Sequence, residues 1–198
     1  MKKIAVFVSG GGTNLQALID AQSSVIRSGK IALVISNVAG AYALERAKNA
    51  GIATEVVIKK ECGSQVAFED RLMQLLNDYG IDVIVLAGFM TILTEHFTGK
   101  YPNRIINVHP SLIPSFCGEG FYGLRVHQAA LDYGVKVTGA TVHFVNEVCD
   151  GGQIIAQKAV PVLEGDTPEV LQRRVMEQAE WILLPQAAET VCASLGGK

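Results

Sequence analysis

Residues 2–15 read KKIAVFVSGGGTNL, an apolar run that passes directly into three glycines and a short polar segment. Because the run shows little alternation of apolar and polar residues, it predicts a strand covered on both faces, as in a parallel sheet. The next stretch, residues 15–24, spaces its apolar residues three and four apart and predicts a helix. A strand, a glycine-rich turn and a helix in this order are typical of sheets that bind ligands beyond the carboxyl ends of their strands.

The alternation of strands and helices continues along the chain. Seven apolar runs predict strands, at residues 3–8, 31–36, 54–58, 82–87, 104–108, 137–144 and 154–160. Helical patterns cover residues 41–50 and 65–79, and the glycines that follow them, Gly51 and Gly80, suit left-handed helix caps. This order predicts an α/β fold with a doubly wound, mostly parallel sheet of seven strands. Residues 145–153 carry no helical pattern, so the last two runs predict either an antiparallel edge hairpin or strands that flank a functional loop.

The end of the chain predicts one more helix. Thr167 and Pro168 suit the N-cap and the first helical position, and we expect Pro185 to kink the helix near its middle. The 198 residues contain no repeat, linker or low-complexity segment, so we expect one domain over residues 1–198.

Composition argues against several classes of protein. Apolar and aromatic residues make up 49% of the chain, charged residues 18%, and the net charge is −2, which favours a packed globular domain over a nucleic-acid binder. The longest apolar run, residues 83–90, is far shorter than the ~20 residues of a membrane-spanning helix. The cysteines have neither metal-site nor redox-motif spacing, so we expect a cytoplasmic protein without a metal. They are Cys62, Cys117, Cys149 and Cys192.

The glycine-rich turn from Ser9 to Leu15 has three interpretations. Glycines let the backbone approach a phosphate, and a helix N-terminus supplies free N–H donors, which favours a monophosphate site. The turn could instead be a plain connection in which Thr13 or Asn14 caps the helix. A dinucleotide site is the third possibility, although it would require a small residue in place of Leu15 and favour an acid in place of Ser36-Asn37.

Residues 107–114 read NVHPSLIP and contain the first candidate catalytic groups. Asn107 and His109 are two positions apart at the end of a predicted strand, so both project to one side, and Pro110 restricts the backbone that follows. The Asn107 amide can donate to a developing oxyanion, and the His109 imidazole can exchange a proton near neutral pH. Because neither group is a strong nucleophile, the pair indicates direct attack of one substrate on another.

Asp150, which begins the sequence DGG, is the third candidate. Its carboxylate would orient the His109 ring, but the sequence does not bring the two side chains together, and an ordinary Asp-Gly turn explains the same residues. We interpret His143 as a structural residue of a strand, and His96 and His127 as surface or helix-start residues. The scattered histidines and cysteines form no zinc pattern.

The order of four segments resembles that of a known family. They are the glycine loop 9–15, the AGFM run 87–90, the NVHPSLIP motif 107–114 and the DGG turn 150–152. Together they resemble the phosphoribosylglycinamide formyltransferases, folate-dependent enzymes of purine biosynthesis, from residue 4 to about residue 185. The Asn-x-His-x-Ser-Leu/Ile-x-Pro motif is specific for enzymes that use 10-formyltetrahydrofolate. The resemblance implies a formyltransferase fold with a Rossmann-like N-terminal half.

The resemblance also implies roles for individual residues. It implies catalysis by Asn107, His109 and Asp150. It implies ribonucleotide binding by Gly12, Thr13, Asn14, Pro110 and Glu180. It implies folate binding, largely through backbone groups, by Gln65, Met90, Thr91, Ile92, Leu93, Asn107, Asn146, Glu147, Val148, Cys149 and Asp150.

Four features depart from the family pattern. Thr91 stands where many members have Arg, and Gln65 stands where some have an Arg within reach of the folate. Both departures weaken the expectation of side-chain contacts to folate. The last helix has one extra residue before Pro185. The glycine-rich stretch 117–123 is longer than usual and predicts either a mobile lid or a surface insertion.

The implied reaction transfers the formyl group of 10-formyltetrahydrofolate, a co-substrate, to the amine of glycinamide ribonucleotide through a tetrahedral intermediate. Asn107 and protonated His109 would stabilise the oxyanion, and Asp150 would orient His109 or a water. Two alternatives stay open: a formyltetrahydrofolate hydrolase, in which water replaces the amine, and a non-catalytic nucleotide-binding module. We expect small-molecule partners without nucleic acid or membrane, and the sequence predicts no oligomeric state.

Overall fold

The computed structural model describes residues 1–196, in which seven strands alternate with helices. The strands are β1 Lys2–Val8, β2 Gly29–Ser36, β3 Ala53–Val56, β4 Val83–Leu86, β5 Ile105–His109, β6 Val137–Phe144 and β7 Ile154–Pro161. The helices are α1 Thr13–Asp20, α2 Tyr42–Asn49, α3 Lys59–Cys62, α4 Gln65–Tyr79, α5 Glu95–Thr98, α6 Leu124–Tyr133, α7 Pro168–Val175, a π-helical turn Met176–Glu180, and α8 Trp181–Ser194. Within residues 1–196, no helix combines the length and apolar character that crossing a bilayer requires.

One sheet contains all seven strands in the order β3-β2-β1-β4-β5-β6-β7. Strands β1 to β5 are parallel, whereas β6 pairs antiparallel with β5, and β7 pairs antiparallel with β6. The prediction of a doubly wound, mostly parallel sheet of seven strands is confirmed. The last two strands do form an edge hairpin, and the loop that joins them lines a cavity of about 700 Å³. The strand order reverses between β1 and β4, which is where ligands bind in sheets of this kind.

Apolar and polar residues do not alternate along β1, because apolar clusters cover both faces of the sheet. Ile4, Val6 and Val8 pack into one apolar cluster with residues of α1 and α8. Ala5 and Phe7 pack into the other cluster with residues of α4. All five side chains are fully buried, so β1 is held as a central strand and its carboxyl end leads the glycine loop into α1.

The predicted helix ends are largely confirmed. Gly51 and Gly80 have positive φ angles of 69° and 65°, and the Thr167 side chain caps α7 by accepting from the Val170 N–H at 3.3 Å. The last helical region is interrupted by the π-helical turn rather than at Pro185, which lies inside α8. A π-helical turn holds more residues than an α-helical turn, so a turn of this kind would accommodate the extra residue expected before Pro185.

Candidate active site

A cavity of about 700 Å³ opens where β4 and β5 face the hairpin loop. Four segments line most of it: residues 88–93 after β4, 107–110 at the end of β5, 118–123, and 145–150 between β6 and β7. Asn107, His109 and Asp150, predicted as catalytic residues, all line this cavity. Its volume lies in the range of sites for small organic ligands.

His109 and Asp150 lie side by side although 41 residues separate them. The His109 Nδ1 atom is 3.4 Å from Asp150 Oδ2, and both side chains are buried. The other ring nitrogen of His109, Nε2, donates to the Phe116 carbonyl at 2.8 Å. Because a carbonyl oxygen only accepts, Nε2 carries a proton, and the ring therefore presents Nδ1 to the carboxylate.

Asp150 is held by backbone geometry as well as by charge. Its φ angle is +54°, in the left-handed region, and its Oδ2 atom accepts from the Gly118 N–H at 2.9 Å. Burial tends to raise the pKa of this carboxyl, but the neighbouring His143 and His109 imidazoles and the Gly118 N–H outweigh it and lower the pKa below its usual value. Asp150 is therefore a carboxylate at neutral pH.

The two glycines after Asp150 are required by close packing rather than by backbone freedom alone. A Cβ on Gly151 would lie 2.5 Å from Val148 Cγ1, and a Cβ on Gly152 would overlap the Phe144 carbonyl. The DGG sequence thus lets the hairpin loop fold tightly enough to bring its carboxylate to the end of β5.

His143 belongs to the same cluster, and sequence reasoning placed it only as a structural residue. It is buried, it lies directly opposite Asn107 in the antiparallel β5–β6 pair, and the Asn107 Nδ2 atom is 3.2 Å from its Nε2 atom. Its Nε2 atom is also 3.5 Å from Asp150 Oδ1. The missing signal is the register of the two strands, because the apolar pattern of β6 does not specify which of its residues faces Asn107.

The glycine loop is compact and is anchored by α2. Gly12 has a φ angle of +72°, and a Cβ there would lie 2.6 Å from the Cβ of Ala43. The Ala43 N–H donates to the Gly10 carbonyl at 3.0 Å, and Arg46 Nε donates to the Gly11 carbonyl at 2.8 Å. Only glycine fits this position, and neither Thr13 nor Asn14 caps α1 through its side chain, contrary to the plain-turn interpretation in which one of them does.

Predicted ribonucleotide residues from opposite ends of the chain meet beside this loop. Asn14 Nδ2 donates to Glu180 Oε2 at 2.7 Å, and Thr13 Oγ1 lies 3.6 Å from Met176 Sδ. Burial raises the pKa of Glu180 to about 7, although the Asn14 hydrogen bond opposes the shift. The buried Oδ1 atom of Asn14 has no partner among the described residues, so an acceptor remains available there. Pro110 lies apart from this pair, in the wall of the main cavity.

The predicted folate residues divide into two groups. Met90 to Leu93 and Asn146 to Asp150 all line the main cavity, whereas Gln65 does not. Gln65 instead donates to the Ile92 carbonyl at 3.2 Å, behind the cavity wall. The Thr91 hydroxyl accepts from Asn37 Nδ2 at 2.8 Å, so this side chain is already engaged within the protein.

The stretch 117–123 lines the cavity through residues 118–123, which are half-buried or exposed. This position agrees both with a lid and with a surface insertion. Of the two interpretations of His127, the helix-start one is confirmed, because the residue lies near the start of α6, and the surface one is wrong, because the residue is fully buried. Neither of its ring nitrogens has a protein partner among the described residues. Burial, followed by the nearby His109, lowers the pKa of His127 to about 4. His96 is exposed, as expected, and pairs with Asp70.

Fold and site together define a protein of the formyltransferase class. The structure of glycinamide ribonucleotide transformylase 1 from Symbiobacterium toebii is similar with a TM-score of 0.91 and 43% sequence identity, covering 98% of this chain and 89% of that one. A family model described as formyl transferase matches residues 2–187. The chain belongs to the formyl transferase family.

Relatives with named activities are similar over most of the chain. The phosphoribosylglycinamide formyltransferase of Haemophilus influenzae is 46% identical over 178 residues, which cover 90% of this chain and 82% of that protein. The trifunctional purine biosynthetic protein adenosine-3 of Gallus gallus is 45% identical over 191 residues. This chain spans 18% of the length of that trifunctional relative.

Proposed function

We propose that this protein transfers the formyl group of 10-formyltetrahydrofolate to the primary amine of glycinamide ribonucleotide, a step of purine biosynthesis. The observation that carries the proposal is that Asn107 and the buried His109–Asp150 pair line the same cavity of about 700 Å³. The family membership and the named relatives support the same reaction. The glycine loop at the N-terminus of α1 is suited to a phosphate, and the Asn14–Glu180 pair beside it offers polar groups to the rest of a ribonucleotide.

The cavity suits a folate co-substrate by its chemistry. Its walls carry exposed apolar side chains, among them Met90, Ile92 and Val148, against which a flat heterocycle can pack. Backbone groups of the loops on either side offer donors and acceptors for the polar edge of the ring. The three polar side chains lie together at one wall, where the reacting formyl group would have to sit.

The proposed reaction needs no covalent enzyme intermediate. The amine nitrogen attacks the formyl carbon, a tetrahedral intermediate forms, and the bond from that carbon to the folate nitrogen then breaks. The Asn107 amide and the positive charge of a protonated His109 ring stabilise the oxyanion. One proton leaves the attacking amine and one reaches the departing folate nitrogen; His109, held by the Asp150 carboxylate, serves this exchange directly or through a water.

One assay tests this function against its alternatives. Purified protein is mixed with 10-formyltetrahydrofolate, and folate release is followed with and without glycinamide ribonucleotide. We expect release that depends on the ribonucleotide. Release without it would indicate a hydrolase, and no release in either mixture would indicate a binding module; both outcomes would overturn the proposal.

We also propose that residues 1–198 act as one domain in the cytoplasm with small-molecule substrates only. All four cysteines are free thiols, which suits a reducing compartment. Among the residues that the structure describes, no three His, Cys, Asp or Glu side chains cluster as metal ligands would.

A further inference from the structure

The pairing of Asn107 with His143 goes beyond simple contact, because the surroundings of His143 fix which atoms carry hydrogen. His143 Nδ1 is 2.8 Å from the Phe144 carbonyl oxygen. A carbonyl oxygen only accepts, so Nδ1 must carry the proton. In a neutral ring, Nε2 then has a lone pair and can only accept. The Asn107 Nδ2 atom, 3.2 Å away, is the donor to it.

This arrangement fixes the orientation of the Asn107 amide. If the amide were turned over, its Oδ1 atom would face the lone pair of His143 Nε2, and two acceptors would oppose each other. With Nδ2 toward His143, one amide hydrogen is used and the second remains free for a ligand in the cavity that Asn107 lines. An amide in the reverse orientation would present an oxygen to the same ligand, which an oxyanion would avoid.

We propose that neutral His143 is a positioning residue that holds the Asn107 amide with its N–H group toward the reacting oxygen. The role in catalysis rests on the proposed function; the orientation itself does not. His143 suits this task because it is buried, lies on the rigid strand β6 and faces Asn107 across the strand pair. Asp150 is the charged group that faces its Nε2 atom, with its Oδ1 atom 3.5 Å away.

The alternative is that His143 is protonated and serves as a cationic partner of Asp150. The distance of 3.5 Å is longer than a good N–H···O hydrogen bond. Asp150 also has closer partners for its other oxygen, because the Gly118 N–H lies at 2.9 Å and His109 Nδ1 at 3.4 Å. A protonated His143 would have to turn the Asn107 amide over. The two arrangements therefore differ both in the protonation of the His143 ring and in the orientation of the Asn107 amide.

The first test uses the protein without substrates, so it does not depend on the proposed function. Two-dimensional proton–nitrogen NMR of the histidine rings reports which nitrogens carry hydrogen. We expect His143 to be protonated at Nδ1 only at neutral pH, and one hydrogen of the Asn107 side-chain amide to exchange slowly with solvent. A His143 ring protonated at Nε2, or at both nitrogens, would overturn the proposal.

The second test uses a matched pair of variants. In His143→Gln, the side-chain oxygen can take the place of Nε2 as an acceptor, whereas His143→Asn keeps only a group at the position of Nδ1. We expect His143→Asn to lower kcat by roughly 10- to 100-fold with little change in KM, and His143→Gln to recover most of the loss. The Asn107 amide hydrogen should exchange fast in His143→Asn and slowly in His143→Gln. Equal loss in both variants would contradict the proposal.

A double-mutant cycle identifies the residue through which His143 acts. If it acts through Asn107, adding His143→Asn to Asn107→Ala should lower kcat no further, whereas the effects of His143→Asn and Asp150→Asn should multiply. If His143→Asn instead lowers kcat further in Asn107→Ala but not in Asp150→Asn, His143 acts through Asp150 and the proposal is wrong. Thr138→Val, which removes another buried polar group from β6, is the control for general disturbance of the strand. If the parent protein transfers no formyl group, the proposed function fails while the NMR result still decides the orientation.

Discussion

The Asn14 amide donates a hydrogen bond of 2.7 Å to the Glu180 carboxyl, across 166 residues of sequence. Asn14 lies in the first turn of α1, and Glu180 ends the π-helical turn that precedes α8. Wider turns of this kind are frequent at functional sites because they redirect side chains. Here Glu180 and Met176, at the two ends of the turn, both contact residues that follow the glycine loop, so the turn belongs to the candidate site.

The buried Glu180 carboxyl should make stability depend on pH. Burial raises its pKa from 4.5 to about 7, so across this range the folded protein holds a proton that the unfolded chain has lost. The free energy of unfolding therefore falls as the pH rises through this window. Glu180→Gln removes the free-energy cost of ionising this buried carboxyl. Between pH 5 and 7 we therefore expect the free energy of unfolding of the variant to rise relative to that of the parent, by up to about 3 kcal/mol. Urea unfolding at several pH values measures the difference. Parallel curves for the two proteins would contradict the prediction.

Gly12 should be sensitive to the smallest substitution. A Cβ there would lie 2.6 Å from the Cβ of Ala43, at a φ angle of +72° that favours glycine. We expect Gly12→Ala to raise KM for the ribonucleotide about tenfold or more, while KM for folate, whose proposed site is elsewhere, stays nearly constant. Gly40→Ala is the control, because a Cβ on Gly40 meets nothing within 4 Å. An equal rise of both KM values in Gly12→Ala would remove the loop from the ribonucleotide site.

Much of the fold follows from local sequence. The unbroken apolar run of β1 requires cover on both faces, and the two apolar clusters provide it through Ile4 and Val6 on one side and Phe7 on the other. Asn107 and His109 are predictable as neighbours because they are two positions apart on one strand. These features depend on a few adjacent residues, so the sequence contains all the information that they need.

The remainder of the site depends on relationships that local sequence does not contain. Asp150 reaches His109 only because β6 runs antiparallel to β5 and the chain turns back through a left-handed φ at Asp150 itself. His143 joins the cluster through strand register. His127 illustrates the same difficulty, because a polar residue at the start of a helix suggests exposure, but α6 packs this face against the protein.

The buried His127 should destabilise the protein in acid. Its pKa is lowered from 6.5 to about 4, so over this range the unfolded chain takes up a proton that the folded protein does not. The free energy of unfolding therefore falls as the pH drops through this window. His127→Phe should flatten the acid side of the stability curve, by about 2 kcal/mol near pH 4, and cost little at pH 7. Thermal unfolding across pH 4 to 8 checks this, and a large loss at pH 7 would mean that the ring nitrogens have partners.

Asp150→Asn distinguishes a catalytic role of the Asp150 charge from a role of the residue in shaping the turn. Asn tolerates the left-handed φ of +54° and keeps an oxygen to accept from the Gly118 N–H, so the variant should fold as the parent does. What it loses is the negative charge 3.4 Å from His109 Nδ1. If that charge holds His109 protonated and oriented, kcat should fall by on the order of 10²-fold or more, whereas the KM values should change little because the lost interaction belongs to the transition state.

The control for this prediction removes a negative charge that is remote from the cavity. Glu164 is exposed in the segment after β7, and Glu164→Gln should leave kcat unchanged. Steady-state kinetics with both substrates, together with circular dichroism to verify folding, completes the comparison. A folded Asp150→Asn protein with nearly normal turnover would show that Asp150 only shapes the turn, and the proton would then have to reach the folate nitrogen by a route without this carboxylate. We expect the slow enzyme, because the closest contacts of Asp150 are the Gly118 N–H and the two imidazoles, and two of these three are groups that can carry a proton.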